Sequence, residues 1–113
     1  MTADSALDLN HVAIETPDGR VLRYARYVGA DGAWIRHGPF IELFPTGQPA
    51  SQGEYAHGKE SGMWRDFYPS GQVAAEGSYV EGQESGLWKF WNEAGQEERT
   101  VLLREGVEVS PVP

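Results

Sequence analysis

The chain has 113 residues, no cysteine and a formal net charge of −8. That length fits one domain with a modest core. The charge argues against nucleic acid and anionic membrane surfaces as partners, since both need a basic footprint. The missing thiols exclude disulfides, cysteine nucleophiles and thiolate metal sites.

Residues 1–9 read as a flexible N-terminal tail. Met1 to Asn10 holds two aspartates and no basic residue, unlike the start of a signal peptide. No apolar run is long enough to span a bilayer, so a cytoplasmic location is expected.

From residue 10 the chain is punctuated by turns. Pro17-Asp18-Gly19, Pro45-Thr46-Gly47 and Pro69-Ser70-Gly71 share one form, and Glu93-Ala94-Gly95 is a weaker version. Proline presets the first turn position and glycine accepts positive φ, as in a three-residue hairpin loop closed by a glycine bulge. His57-Gly58, Glu81-Gly82 and Glu105-Gly106 suit two-residue type I′ turns. A further tight turn is expected at Asp31-Gly32. Met63–Tyr68, Val73–Val80 and Leu87–Trp91, lying between turns, are rich in aromatic and β-branched residues and read as strands.

These signals recur every 24 residues (85 − 61 = 24 for the two Ser-Gly starts). Gly38, Gly62 and Gly86 keep the interval, as do Phe40, Trp64 and Trp88, and Gly47, Gly71 and Gly95. Tyr55 and Tyr79 keep it with Leu103 in the third copy. The N-terminal part matches at an offset of 28, with Tyr27 against Tyr55, which predicts a hairpin longer by two residues on each strand. The expected fold is all-β: an antiparallel meander of about four hairpin repeats with eight or nine strands. The repeat domain, 10–113, divides into units at about 10–32, 33–58, 59–82 and 83–108, with a C-terminal cap at 109–113. In that cap Ser110 replaces the expected glycine, and Pro111 and Pro113 would blunt an edge. A lone hairpin cannot bury its own face, so copies only work in a row. A single layer is thin, and the sheet is expected to curl, pack on itself or dimerise.

Strand parity puts Phe40, Glu42 and Phe44 on one face with Trp64, Asp66, Tyr68, Trp88, Phe90 and Asn92. Ile41, Leu43, Met63, Phe67, Leu87 and Trp91 take the other. Gly53 and Gly77 are placed to be covered by aromatics of neighbouring strands. The candidate partner-binding residues are Phe40, Glu42, Trp64, Asp66, Tyr68, Trp88 and Phe90: aromatic anchors flanking carboxylates that would receive Arg or Lys. The alternative use of those rings is packing within the sheet.

Catalysis finds little material. His57 occupies a turn position held by glutamate in the sister copies, His37 aligns with Ser61 and Ser85, and His11 precedes the first strand; the three look scattered. No metal-ligand spacing occurs, the glycines belong to turns, and no carboxylate pair stands out. No enzyme activity, cofactor or metal is expected. Arg20, Arg23 and Arg26 form the one basic cluster, interleaved with Tyr24 and Tyr27; it reads as a solvated or acid-paired strand face, or as a grip for an acidic group.

The pattern Gly62, Trp64, Phe67, Tyr68, Gly71, Gln72, then Tyr79, Gly82, Gln83 resembles the MORN repeat, and most closely its bacterial variant associated with antitoxins of toxin–antitoxin pairs. The likeness covers about residues 38–108 well and 16–37 loosely. Asn92, Val101 and Leu103 depart from it where an aromatic, a glycine and a tyrosine are due. The resemblance implies a sheet of hairpins that binds proteins or, in eukaryotic relatives, acidic lipids. Acidity is concentrated in residues 38–113: twelve acids against five bases, a net of −7, compared with −1 for residues 1–37. Such a field favours a basic partner. The expected function is therefore a non-enzymatic protein-binding module, an antitoxin or immunity-type inhibitor covering a basic toxin or effector. The alternative is a self-associating scaffold, with a homodimer as its simplest form; lipid-surface binding is the third choice.

Overall fold

The computed structural model describes residues 7–109. Most of the expected tail and the expected cap, with Ser110, Pro111 and Pro113, lie outside the described residues. Within them the chain is all-β. Nine strands follow in order: β1 Asn10–Glu15, β2 Val21–Val28, β3 Trp34–Leu43, β4 Pro49–Ala56, β5 Lys59–Phe67, β6 Val73–Val80, β7 Gln83–Trp91, β8 Glu97–Arg104 and β9 Val107–Glu108. Each pairs antiparallel with the next, giving one open meander sheet with β1 and β9 at its edges. The shape is extended: the Cα radius of gyration is 16.2 Å, against about 13 Å for a compact domain of this size. Principal extents of 48 × 37 × 25 Å show that the single layer is twisted and curled.

The turns explain the meander. At Gly47, φ is +92° and its N–H donates to the Phe44 carbonyl (2.8 Å), while Phe44 N–H donates to the Gln48 carbonyl (2.8 Å). This is the three-residue loop expected from Pro-x-Gly, repeated around Gly19, Gly71 and Gly95. At the opposite strand ends His57, Glu81 and Glu105 have φ near +50°, each followed by a glycine at positive φ. These are type I′ turns, as expected. The turn at Asp31-Gly32 differs from expectation. Gly29 N–H donates to the Ala33 carbonyl and Gly32 N–H to the Gly29 carbonyl, so the loop has three residues and matches the Pro-x-Gly class. The Asp31 carboxylate accepts the Ala33 N–H (3.0 Å) and holds that form.

Irregularities recur in the repeats, among them one-residue shifts at Glu42/Leu43, Asp66/Phe67 and Phe90/Trp91. Pairing slips by two residues between Tyr24↔Phe40 and Arg26↔Arg36, between Gln52↔Arg65 and Glu54↔Ser61, and between Glu76↔Lys89 and Ser78↔Ser85. The slips fall at Gly38, Gly62 and Gly86, all at positive φ, which side-chain-bearing residues rarely adopt. A second staple joins consecutive hairpins. The N–H of Gly58 donates to the Arg36 carbonyl (2.7 Å), Gly82 to Glu60 (3.0 Å) and Gly106 to Glu84 (2.9 Å).

The core is a stripe of rings on one face. Phe40, Trp64, Trp88 and Val101 are its buried members, with Leu22, Tyr24, Tyr55, Tyr79, Phe90 and Leu103 packed against them. Trp64 lies over Gly53 and Trp88 over Gly77. A Cβ at either glycine would stand 2.2 or 2.1 Å from the indole. The expected covering of strand glycines by aromatics is thus how this thin sheet makes a core. The indole N–H groups donate to the Glu54 carbonyl (3.0 Å) and the Ser78 carbonyl (3.1 Å), the same bond one period apart.

Candidate protein-binding face

Cross-strand pairing fixes what shares the ring-bearing face. Leu22↔Glu42, Tyr24↔Phe40, Phe40↔Gly53, Ser51↔Asp66, Trp64↔Gly77, Ala75↔Phe90 and Trp88↔Val101 all lie there. So Phe40, Glu42, Trp64, Asp66, Trp88 and Phe90 do share one side. Their surroundings differ. Phe40, Trp64 and Trp88 are only 8, 8 and 5% exposed, so their rings serve the sheet's own packing. Glu42 accepts from Arg20 at 2.6 Å. Asp66 is exposed and accepts from the Ser51 hydroxyl at 2.8 Å. Tyr68 donates to the Trp91 carbonyl at 2.6 Å. Phe90 stacks near Trp88, with Arg99 over its ring at 5.9 Å.

The rings form a continuous ladder. Tyr24 stacks on Phe40, Tyr55 meets Phe40 and Trp64 edge-on, and Tyr79 meets Trp64 and Trp88 edge-on. Centroid separations of 5.2–6.2 Å, read from Tyr79–Trp88 and Tyr24–Phe40, suit favourable ring pairs.

Along one side of this ladder runs a row of charged residues. Glu60 stands opposite Tyr55, Glu84 opposite Tyr79 and Glu108 opposite Leu103. They are spaced by 24, and the 24-residue grid alone could have revealed them. One period earlier the same position holds Arg36. Its guanidinium sits over Tyr24 (4.4 Å), Phe40 (5.5 Å) and Tyr55 (5.5 Å), and donates to the Tyr55 hydroxyl at 3.3 Å. The acids have an electrostatic effect on the ladder. Burial first, then the charges of Glu84, Glu60 and Asp66 together with Tyr55, push the Tyr79 phenol up to about 12. At the first hairpin, the Thr16 hydroxyl lowers the Asp18 carboxyl, with Arg20 assisting. The basic cluster is divided: Arg20 pairs with Glu42 and Asp18, while Arg26 bonds Asn10 and lies over Trp34 at 4.0 Å.

The histidines correct the sequence reading. His11 lies within β1 rather than before it. His37 and His57 are neighbours, not scattered: their ring centroids are 4.4 Å apart, and His57 N–H donates to His37 Nδ1 at 3.0 Å. Tyr27 Oη meets His57 Nδ1 at 2.7 Å. The grid held this signal too, since positions 37 and 57 stand to each other as Ser61 does to Glu81. Among the described residues no group of three or more His, Cys, Asp or Glu side chains is arranged to hold a metal ion. No helix among them is long and apolar enough to cross a membrane.

The other face has exposed apolar groups: Met63 at 51%, Leu87 at 60% and Leu102 at 44%. They alternate with the Arg65–Glu76 pair (2.9 Å) and Lys89.

No curated protein and no solved structure matches the chain. The protein family described as MORN repeat variant matches it twice, at residues 36–57 and 60–81. These are the β3–β4 and β5–β6 hairpins with their three-residue Pro-x-Gly loops, and over them the chain is similar to that family.

Proposed function

We propose that the protein is a non-enzymatic repeat module that binds a basic protein against its ladder face. Repeats of this kind commonly bind proteins or membrane lipids and are in general non-enzymatic. The net charge of −8 favours the protein over an anionic lipid surface. The observation that carries the reading is Arg36. A guanidinium already rests among three rings at the first copy of the charged row. In the later copies that position is Glu60, Glu84 and Glu108; the first two flank the Tyr55 and Tyr79 rings, while Glu108 stands by Leu103 and pairs with Arg99 at 3.1 Å. A partner's arginines would complete the pattern, with Tyr55 and Tyr79 as ring surface and Glu60, Glu84 and Asp66 as acceptors. Phe40, Trp64, Trp88 and Phe90 then support the face from within it. Covering a basic substrate site this way is what an antitoxin or immunity-type inhibitor does in the cytoplasm, and that is the role we assign.

The test is capture on the tagged protein at low salt, with elution by rising salt. The expected result is one basic protein, lost from the Glu60→Lys/Glu84→Lys variant while the melting temperature holds. Equal capture by that variant would overturn the assignment of this face.

A further inference from the structure

The two edges of the sheet are protected unequally. At the C-terminal edge β9 has two residues and pairs only with Leu103 and Arg104, and β8 beside it carries Glu97, Glu98, Arg99 and Arg104. Short strands and charge discourage pairing with another chain. The edge strand β1, Asn10-His-Val-Ala-Ile-Glu15, has no proline, no lysine and no bulge against β2. Ile14 on it is 45% exposed.

Hydrogen-bond parity shows which backbone groups that edge presents. Thr16 N–H donates inward to the Arg20 carbonyl at 2.8 Å. Alternation then turns Ile14, Val12 and Asn10 toward β2, and Glu15, Ala13 and His11 outward. The outward set is self-complementary. Pairing β1 antiparallel with a second β1 about Ala13 sets Ala13 against Ala13 and His11 against Glu15 of the second copy. All three outward residues then exchange bonds, about six in total. Val12 meets Ile14 of the second copy on the ladder face, so the apolar pair lies on the side that already holds the core. His11 faces a carboxylate across the join, twice. Arg23 stands beside Ala13 on β2, where the small methyl lets its side chain lean toward Glu15 of the second copy. His11, Glu15 and Arg23 make no ion pair or side-chain hydrogen bond among the described residues.

We propose that β1 joins a second copy of this chain in a two-fold antiparallel pair centred on Ala13, extending the sheet across the join. The pairing is isologous and closes at two copies, because the two-fold uses the same β1 edge of each. It uses the end of the sheet remote from Glu84 and Glu108, so it does not rest on the basic-partner reading. The buried strip is small beside the about 800 Å² per partner of a standard interface, and the dimer is therefore concentration-dependent.

Five variants test it by sedimentation and crosslinking. The native chain, 12.5 kDa as a monomer, should reach twice that mass as concentration rises. Ala13→Pro removes an N–H that no β1–β2 bond uses; it should stay monomeric with an unchanged melting temperature. In a chain without cysteine, Ala13→Cys should oxidise to a single disulfide-linked dimer, while Val12→Cys should not. Glu15→Arg should weaken the dimer at least tenfold, and Arg23→Glu added to it should recover the loss. A native chain that remains monomeric at the highest soluble concentration would overturn the proposal. So would a dimer that survives Ala13→Pro, or crosslinking through position 12 in preference to 13.

Discussion

The middle of the sheet and its first hairpin solve one packing problem differently. In the middle, Trp64 covers Gly53 and Trp88 covers Gly77, with each indole N–H tied to a carbonyl. In the first hairpin the ring position is Phe40, and opposite it stands Tyr24, whose own ring stacks on it at 6.2 Å. At the far end Val101 stands where a glycine is due and is 8% exposed, since no further ring follows to cover it. The residue facing each ring thus differs along the ladder: glycine under tryptophan, a stacked tyrosine in the phenylalanine copy, valine where the ladder stops. The departure at Val101 follows from having no further ring beyond it.

The largest effect expected from this contrast is on the indoles. Trp88→Ala should cost about 3–5 kcal/mol, measured by denaturant unfolding. Phe40→Ala should cost less, since fewer buried atoms are lost. Next, Gly77→Ala should lose about 1–3 kcal/mol by overpacking, because the new methyl would meet the Trp88 ring at 2.1 Å. Ala25→Gly should cost only about 0.5–1 kcal/mol through backbone entropy. Equal losses at position 25, on the face away from the rings, and at position 77 would show that the indole cover does not single out Gly77. Arg36→Ala should then cost about 1 kcal/mol, on the scale of a partly desolvated cation–π contact. Arg36→Glu would convert the first copy to the charge of the later ones and should raise affinity for a basic partner despite some loss of stability.

The smallest effect concerns alkaline pH. The Tyr79 phenol is held up to about 12 in the fold against its ordinary value of 10.0. The folded state therefore holds that proton more tightly than the unfolded chain. Its contribution is fully present below about pH 10 and fades as pH rises through about 12. Thermal unfolding followed across that window should fall more steeply for the native chain than for Tyr79→Phe. Identical slopes would remove Tyr79 as the cause.

Much of this was legible in the residues. The Pro-x-Gly and x-Gly turns are local, since proline and glycine dictate φ without help from distant contacts. The 24-residue grid then orders the strands. Two things escaped. The loop at Asp31 takes its form from a side-chain bond to Ala33 N–H, which the dipeptide Asp-Gly does not announce. The burial of Phe40, Trp64 and Trp88 goes with the bulges at Gly38, Gly62 and Gly86, and the two indoles lie on the glycines of the neighbouring strands. Parity alone sorted the faces correctly but could not tell an anchor for a partner from a lid over a glycine. The row Glu60, Glu84, Glu108 keeps a spacing as regular as that of the rings and was legible in the same grid.

The glycine amides that donate back to Arg36, Glu60 and Glu84 have a consequence for how the molecule comes apart. Each ties one hairpin to the next and to no other, so the chain behaves as a one-dimensional lattice of coupled sites. Opening should start at the ends and travel inward, with amide exchange slowest around β5 and β6. Removing one full period of 24 residues should then shorten the lattice by a site and lower its stability by one site and one junction. Removing half a period would leave a donor facing the wrong strand.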